Sequence, residues 1–226
     1  MKAECSKLNG ERSGSSTAAA LRQLLHERFP PTTHGRAAPL ATGLPGLDDR
    51  TGGLPRPALT ELVCSAPSCG SQLFIGQLLA LTRAEAARVA LVDAGDAFDP
   101  GSWPDHLLEH LVWVRARDAA EAMAAADLLA RDANFTLLLL DLRHTPPAQL
   151  KRVPATSWYR LQRALEPGTL ATVVLTPFSL VPSAQLRLEL TSAPSLAALA
   201  RTRPALASGL SPTLLRQRSG HLAAAS

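Results

Sequence analysis

The sequence predicts an α/β fold, a mainly parallel β-sheet flanked by helices on both faces, with an additional N-terminal helix. Three observations carry this. Apolar runs of strand length recur at residues 59–64, 88–93, 136–141 and 171–176. Stretches with helical spacing of leucine and alanine lie between them, and alternation of the two kinds of segment implies parallel strands joined by crossover helices. The length of 226 residues suffices for one sizeable core plus tails.

Composition narrows the classes. Hydrophobic residues make up 46% of the chain and mean hydropathy is +0.05, values that fit a globular protein. No run approaches the roughly 20 apolar residues of a membrane span. The first residues, Met1 to Lys7, lack the apolar centre of a secretory signal. Three scattered cysteines, an odd number without C-x-x-C spacing, argue for a reducing cytoplasm and against a zinc site. The net charge of +4 hides an asymmetry: residues 1–150 balance at −3, residues 151–226 at +7, and the positive half is mostly arginine. Arginine pairs bidentately with phosphate and carboxylate, so this half reads as a nucleic-acid or acidic-partner footprint, with a plain solvated surface as the alternative. Arg160, Arg163, Arg187, Arg201 and Arg203 are the candidates for contacts to DNA or a partner.

Taken in order, residues 1–16 are polar and read as disordered. Residues 17–29 read as an amphipathic helix with Leu21, Leu24, Leu25 and Phe29 on one face, stopped by Pro30 and Pro31. A linker runs to about residue 40, where the core begins. Residues 59–64 form a strand, 65–70 a loop of small residues, and 71–87 a helix carrying Leu73, Ile75, Leu78, Leu79 and Leu81. The strand at 88–93 ends on Asp93. A further strand at 111–114 and an alanine-rich helix at 118–131 precede the strand at 136–141, which ends on Asp141. A helix at 157–165, a strand at 171–176 and a strand at 183–190 complete the core, which spans 41–190. In the last strand Leu186, Leu188 and Leu190 alternate with Arg187 and Glu189, giving it one exposed face. The tail, 191–226, is rich in proline, serine and alanine. Part of it, 196–199, reads as helical, and from about residue 209 it is expected to be mobile or to order only on a partner.

The loop at 65–72 has the position of a phosphate-binding loop without its chemistry. The pattern G-x-x-x-x-G-K-[ST] is met only at its second glycine, Gly70. Ser65 stands for the first glycine, Ser71 for the lysine and Gln72 for the magnesium hydroxyl, with Ser68 and Cys69 between. Backbone N–H groups at a helix start attract an anion by about 0.3–1 kcal/mol per favourable charge, too little for strong nucleotide binding. Asp141 has the place of a magnesium-ordering acid; a carboxylate capping the segment after its strand is the simpler reading. His106 and His110 do not follow H-E-x-x-H and have no evident third ligand. Asp93, Asp96 and Asp99 lack the glycine and terminal glutamate of a calcium loop. No G-x-S-x-G elbow surrounds Ser68 or Ser71. No metal, cofactor or catalytic residue is therefore expected.

The run from Thr42 through Gly43, Leu44, Leu47 and Asp48, then Gly52, Gly53, Leu54, Pro55 and Arg56, leads into a strand that ends at the loop just described. This order, with Val89 to Ala94 running into Ala97, Phe98, Asp99 and Pro100, resembles the core of RecA-type recombinases. The resemblance implies a RecA-like P-loop core and places a catalytic glutamate where this chain has Gly95. With Trp158, Leu161, Arg163, Ala164 and Leu165, then Ala184 to Leu188, the chain also resembles ImuA-type proteins, RecA-like accessory factors of bacterial mutagenesis cassettes. That likeness spans about residues 17–190. It implies a non-catalytic cytoplasmic adaptor in damage-induced translesion synthesis. The implied partners are an ImuB-type polymerase homologue and, as further candidates, RecA and DNA, with no membrane. Two alternatives stand beside it: a weak ATPase using the backbone of Ser68 to Ser71 with Asp141, and a regulator that binds RecA filaments.

Overall fold

The computed structural model describes residues 37–192 and 195–218. The expected N-terminal tail and helix, residues 1–36, lie outside the described residues. Seven strands form one sheet in the order β3-β2-β4-β5-β1-β6-β7. They are β1 (Ala58–Val63), β2 (Val89–Asp93), β3 (Leu111–Arg115), β4 (Leu137–Asp141), β5 (Ala171–Thr176), β6 (Leu186–Glu189) and β7 (Thr213–Gln217). Neighbours pair in parallel except β6 and β7, which are antiparallel. The expected α/β class with a mainly parallel, helix-covered sheet is what the chain forms.

The helices are α1 (Pro45–Thr51), α2 (Ser71–Ala84), α3 (Ala119–Leu129), α4 (Pro147–Leu150), α5 (Ala155–Leu165) and α6 (Arg203–Ala207). Strand pleat divides the apolar side chains into two cores. Leu137 and Leu139 of β4, with Val89 and Leu91 of β2, face Phe74, Ile75, Leu78 and Leu79 of α2 and Leu44 and Leu47 at α1. Leu138, Leu140, Ala90 and Val92 face Ala119, Ala122, Met123 and Ala126 of α3 and Trp158, Leu161 and Leu165 of α5. Strands buried on both faces read as continuous apolar runs, which is why 137–140 is four leucines in succession. The alanines of α3 leave room for the helix to lie close on the sheet, and Asp118 caps it by accepting from the Glu121 N–H at 2.9 Å.

Three expectations are corrected. Helix α2 stops at Ala84 instead of residue 87, where Ala86 turns the chain at φ 52°. The core does not end at residue 190. Residues 203–207 form α6, which packs against α2, and residues 213–217 form β7 on the edge of the sheet. Residues 213–217 thus have a partner within the chain: β6 has an open edge, and β7 satisfies its backbone groups. Third, β6 does not present Arg187 to solvent. Its guanidinium turns onto Glu61, a fully buried carboxylate in the central strand β1. Among the described residues no helix is long and apolar enough to cross a membrane.

Candidate functional site

The C-terminal ends of β1, β4 and β5 open onto a cleft of about 830 Å³ lined by residues 64–73 with Arg143, His144 and Pro177. Crevices at the carboxyl ends of parallel strands are where open α/β sheets bind ligands. The loop between β1 and α2 turns through Ser68 at φ 56° and Gly70 at φ 93°. Position 70 favours glycine for its left-handed backbone; a Cβ would also stand 2.6 Å from Leu210 Cδ2, the end of a side chain that can shift. Gly70 is the N-cap of α2 and offers no side chain to the helix start.

Each loop residue proposed from the sequence has a place. Ser65 and Ser68 are exposed, and the Ser65 hydroxyl donates to Glu189 Oε1 at 3.3 Å. Gln72 turns away from the loop and donates through Nε2 to the Ala97 carbonyl at 3.1 Å. Ser71 is buried, and its Oγ accepts from Arg143 Nη1. Arg143 was not anticipated. It sits two residues after Asp141, donates to Asp141 Oδ1 from its backbone N–H at 3.1 Å and from Nε at 2.9 Å, and closes a second bond from Nη2 to Oδ2. The side chains are 9% and 1% exposed. Burial works against the arginine charge, but the hydrogen bonds and charge of Asp141 outweigh it and raise the Arg143 pKa. A positive charge therefore stands beside Ser71. It is already neutralised by the acid at the end of β4.

Gly95 is set by contact as well. A Cβ there would lie 2.5 Å from His144 Cβ and 3.1 Å from the His144 backbone, so a glutamate does not fit without moving the segment after β4. Asp93 is consumed locally: its carboxylate accepts from the N–H groups of Gly95, Ala97 and Phe98 at 3.2, 3.0 and 2.9 Å. His110 Nε2 is 3.0 Å from Thr82 Oγ1, while His106 lies in a short 3₁₀ turn, so the two histidines share no helix face. Among the described residues no group of three or more His, Cys, Asp or Glu is placed to hold a metal ion.

The five candidate arginines do not gather. Arg160 and Arg163 stand on α5, over one face of the sheet, with Arg160 3.6 Å from Asp127 and beside a hollow of about 500 Å³ between α3 and α5. Arg201 and Arg203 lie at the N-terminal end of α6, over the opposite face. Arg201 donates to the Ala205 carbonyl at 3.0 Å, and Arg203 stacks 4.7 Å above the Trp103 ring while donating to the Ser102 carbonyl. Arg187 is held by Glu61 and the Val181 carbonyl and has nothing to offer a phosphate. A single basic face built from these residues does not form.

Two further residues meet here that the sequence reading left apart. Cys64 and Cys69 close the base of the loop, both buried and both lining the cleft. Their spacing matches no redox or metal pattern; only the strand-loop-helix assignment, which returns the loop to its start, brings them together. No protein-family model matches the chain, and no curated protein matches it.

Proposed function

We propose that the chain is a RecA-like adaptor that keeps a nucleotide-binding architecture without turning over nucleotide. One observation carries this: the Arg143–Asp141 pair fills the loop site from within, its guanidinium bonded to Ser71. A hydrolytic site needs a cation free to hold the γ-phosphate and a carboxylate free to order magnesium. Here each neutralises the other. The sheet order, the loop after β1 and the crowded glycine at position 95 support the same reading.

The resemblance to ImuA-type proteins supplies the setting. The adaptor would act in the bacterial cytoplasm, in damage-induced translesion synthesis, through an ImuB-type polymerase homologue and with RecA and DNA as further partners. Because the candidate arginines lie on opposite faces, DNA contact is the weaker part of this setting and protein contact the stronger. Titration with a fluorescent ATP analogue, with and without magnesium, tests the reading. No binding at high micromolar nucleotide is expected, together with co-purification of the polymerase homologue. Tight magnesium-dependent binding overturns it.

A second reading is favoured by the same arginine. If a nucleotide draws Arg143 off Asp141, the pair becomes a cation and a magnesium acid in working positions. Magnesium-dependent turnover that Asp141→Ala abolishes would establish this weak ATPase in place of the adaptor.

A further inference from the structure

Cys64 follows the last residue of β1, and Cys69 precedes the N-cap of the 14-residue helix α2. They are 7% and 3% exposed, and both line the cleft that Arg143 and Ser71 share. The left-handed turns at Ser68 and Gly70 fold the five-residue step back on itself, both cysteines join one buried cluster, and the Cys64 S–H donates to the Leu62 carbonyl at 3.7 Å.

The two sulphurs differ in kind. The neighbouring Cys64 side chain is the chief influence on Cys69. The backbone and hydroxyl of Ser71 and the charge of Arg143 act with it against burial, bringing the Cys69 pKa down to about 6. A position at the positive end of a helix acts in the same sense. The same contact pushes the Cys64 thiol up, and burial adds to the rise. Cys69 is thus the more acidic of the two sulphurs and Cys64 the less.

We propose that Cys64 and Cys69 form a redox-active dithiol that a hydroperoxide converts into an intrachain disulfide, with Cys69 as the attacking and Cys64 as the resolving sulphur. The cleft is open enough to admit a small peroxide, and the Arg143 guanidinium, fixed by Asp141, keeps a positive charge beside the thiolate. In the first step the Cys69 thiolate attacks one peroxide oxygen. An S–O bond forms, the O–O bond breaks, and the departing oxygen takes a proton from solvent and leaves as alcohol, or as water for hydrogen peroxide. Cys69 is now a sulfenic acid, having given two electrons. In the second step the Cys64 sulphur attacks Cys69 sulphur, the S–S bond forms and the S–O bond breaks. The leaving hydroxide carries off the Cys64 proton as water. Two thiols and one hydroperoxide become one disulfide, one alcohol and one water. This chemistry is independent of whether the loop binds nucleotide.

The test uses the full chain, hydrogen peroxide, iodoacetamide quenching and tryptic mass spectrometry. Trypsin does not cut before Pro57, so both cysteines fall on the peptide 51–83, apart from Cys5. The expected product is that peptide short of two hydrogen atoms, unlabelled by iodoacetamide and restored by dithiothreitol. In Cys64→Ser the oxidised Cys69 should persist as a dimedone-reactive sulfenic acid. Full labelling of both thiols after peroxide, or a disulfide to Cys5 of another chain in place of the internal one, overturns the proposal. Since a serine variant can misfold, the unmutated protein gives a second measurement. Cys69 alkylation should be half-maximal near pH 6; a midpoint near the ordinary thiol value of 9.0 also overturns it.

Discussion

Two buried arginine–carboxylate pairs, built from the same chemical groups, do opposite things in this molecule. Glu61 and Arg187 are 126 residues apart and sit inside the sheet, with side chains 0% and 17% exposed. The carboxylate is saturated: beyond Arg187 it accepts from the N–H groups of Leu180 and Val181, at 2.5 and 3.0 Å, and from Thr176 Oγ1 at 3.3 Å. It ties β1 to β6 and to the segment after β5, with no opening to a ligand. Asp141 and Arg143 are two residues apart; Asp141 is buried beneath Arg143, and only the arginine lines the cleft. Closing so short a loop costs little chain entropy, and the pair fixes no long-range contact except that to Ser71. The difference teaches that burial alone does not mark a pair as structural. What decides is whether the guanidinium is enclosed by the fold, as at Arg187, or lines a cavity, as at Arg143.

The strongest way to break the comparison is at Glu61. Glu61→Gln keeps the shape and leaves the Arg187 charge buried without a counter-charge, a change that costs about 3–5 kcal/mol in comparable buried pairs. Urea unfolding should show the midpoint falling steeply. Adding Arg187→Leu to Glu61→Gln should restore most of the loss, because the amide oxygen still accepts from Leu180, Val181 and Thr176 and no unpaired charge is left buried. If the double variant is as unstable as the single one, packing and not charge holds this site.

Asp141→Asn should have a smaller effect on stability, about 1–3 kcal/mol for the hydrogen bonds weakened, and a larger one on binding. Arg143 would then face the cleft as an unneutralised cation at the start of α2. Inorganic phosphate, silent with the unmutated protein, should raise the unfolding temperature of the variant. Absence of that rise would mean that the cleft is no anion site even when its charge is uncovered, and would separate it from the loop it resembles.

The two pairs also mark what the sequence made legible. Strands β1, β2, β4 and β5 were readable because both their faces are buried, so apolar runs bounded by turn residues are their only solution. The loop's position followed from those strands. Its contents did not. Arg143 reads as one more arginine until Asp141 is known to end a strand beside Ser71, and Cys64 and Cys69 read as scattered until the loop closes. The alternation at 186–190 correctly gave a strand but wrongly gave Arg187 to solvent, since its cover comes from residues 177–181 and from β7. That last strand was itself hidden: Leu214 and Leu215 are adjacent, so the segment lacks period-two alternation, and its edge position needs only partial burial. The expectations at 17–29 lie outside the described residues.

The smallest effect belongs to a third pair, which sets the baseline for both buried ones. Arg117 and Glu121 lie at the start of α3, with side chains 90% and 42% exposed and Nε 3.0 Å from Oε2. The hydrogen bond and charge of Arg117 hold the Glu121 carboxyl below its ordinary range. A depressed carboxylate stabilises the fold above its unfolded pKa and loses that contribution as pH falls through the folded value, so any benefit here belongs to neutral pH. Water and salt screen it, and holding a long arginine side chain in place costs rotamer freedom. Arg117→Ala should therefore leave the urea midpoint unchanged at physiological salt, in contrast to the loss at Glu61. A clear fall in the midpoint would mean that the Arg117 side chain organises the entry to α3, since the backbone N–H that donates to Glu121 Oε2 at 2.8 Å is kept in the variant. The distinction between pairs would then rest on their position at a helix start and not on burial.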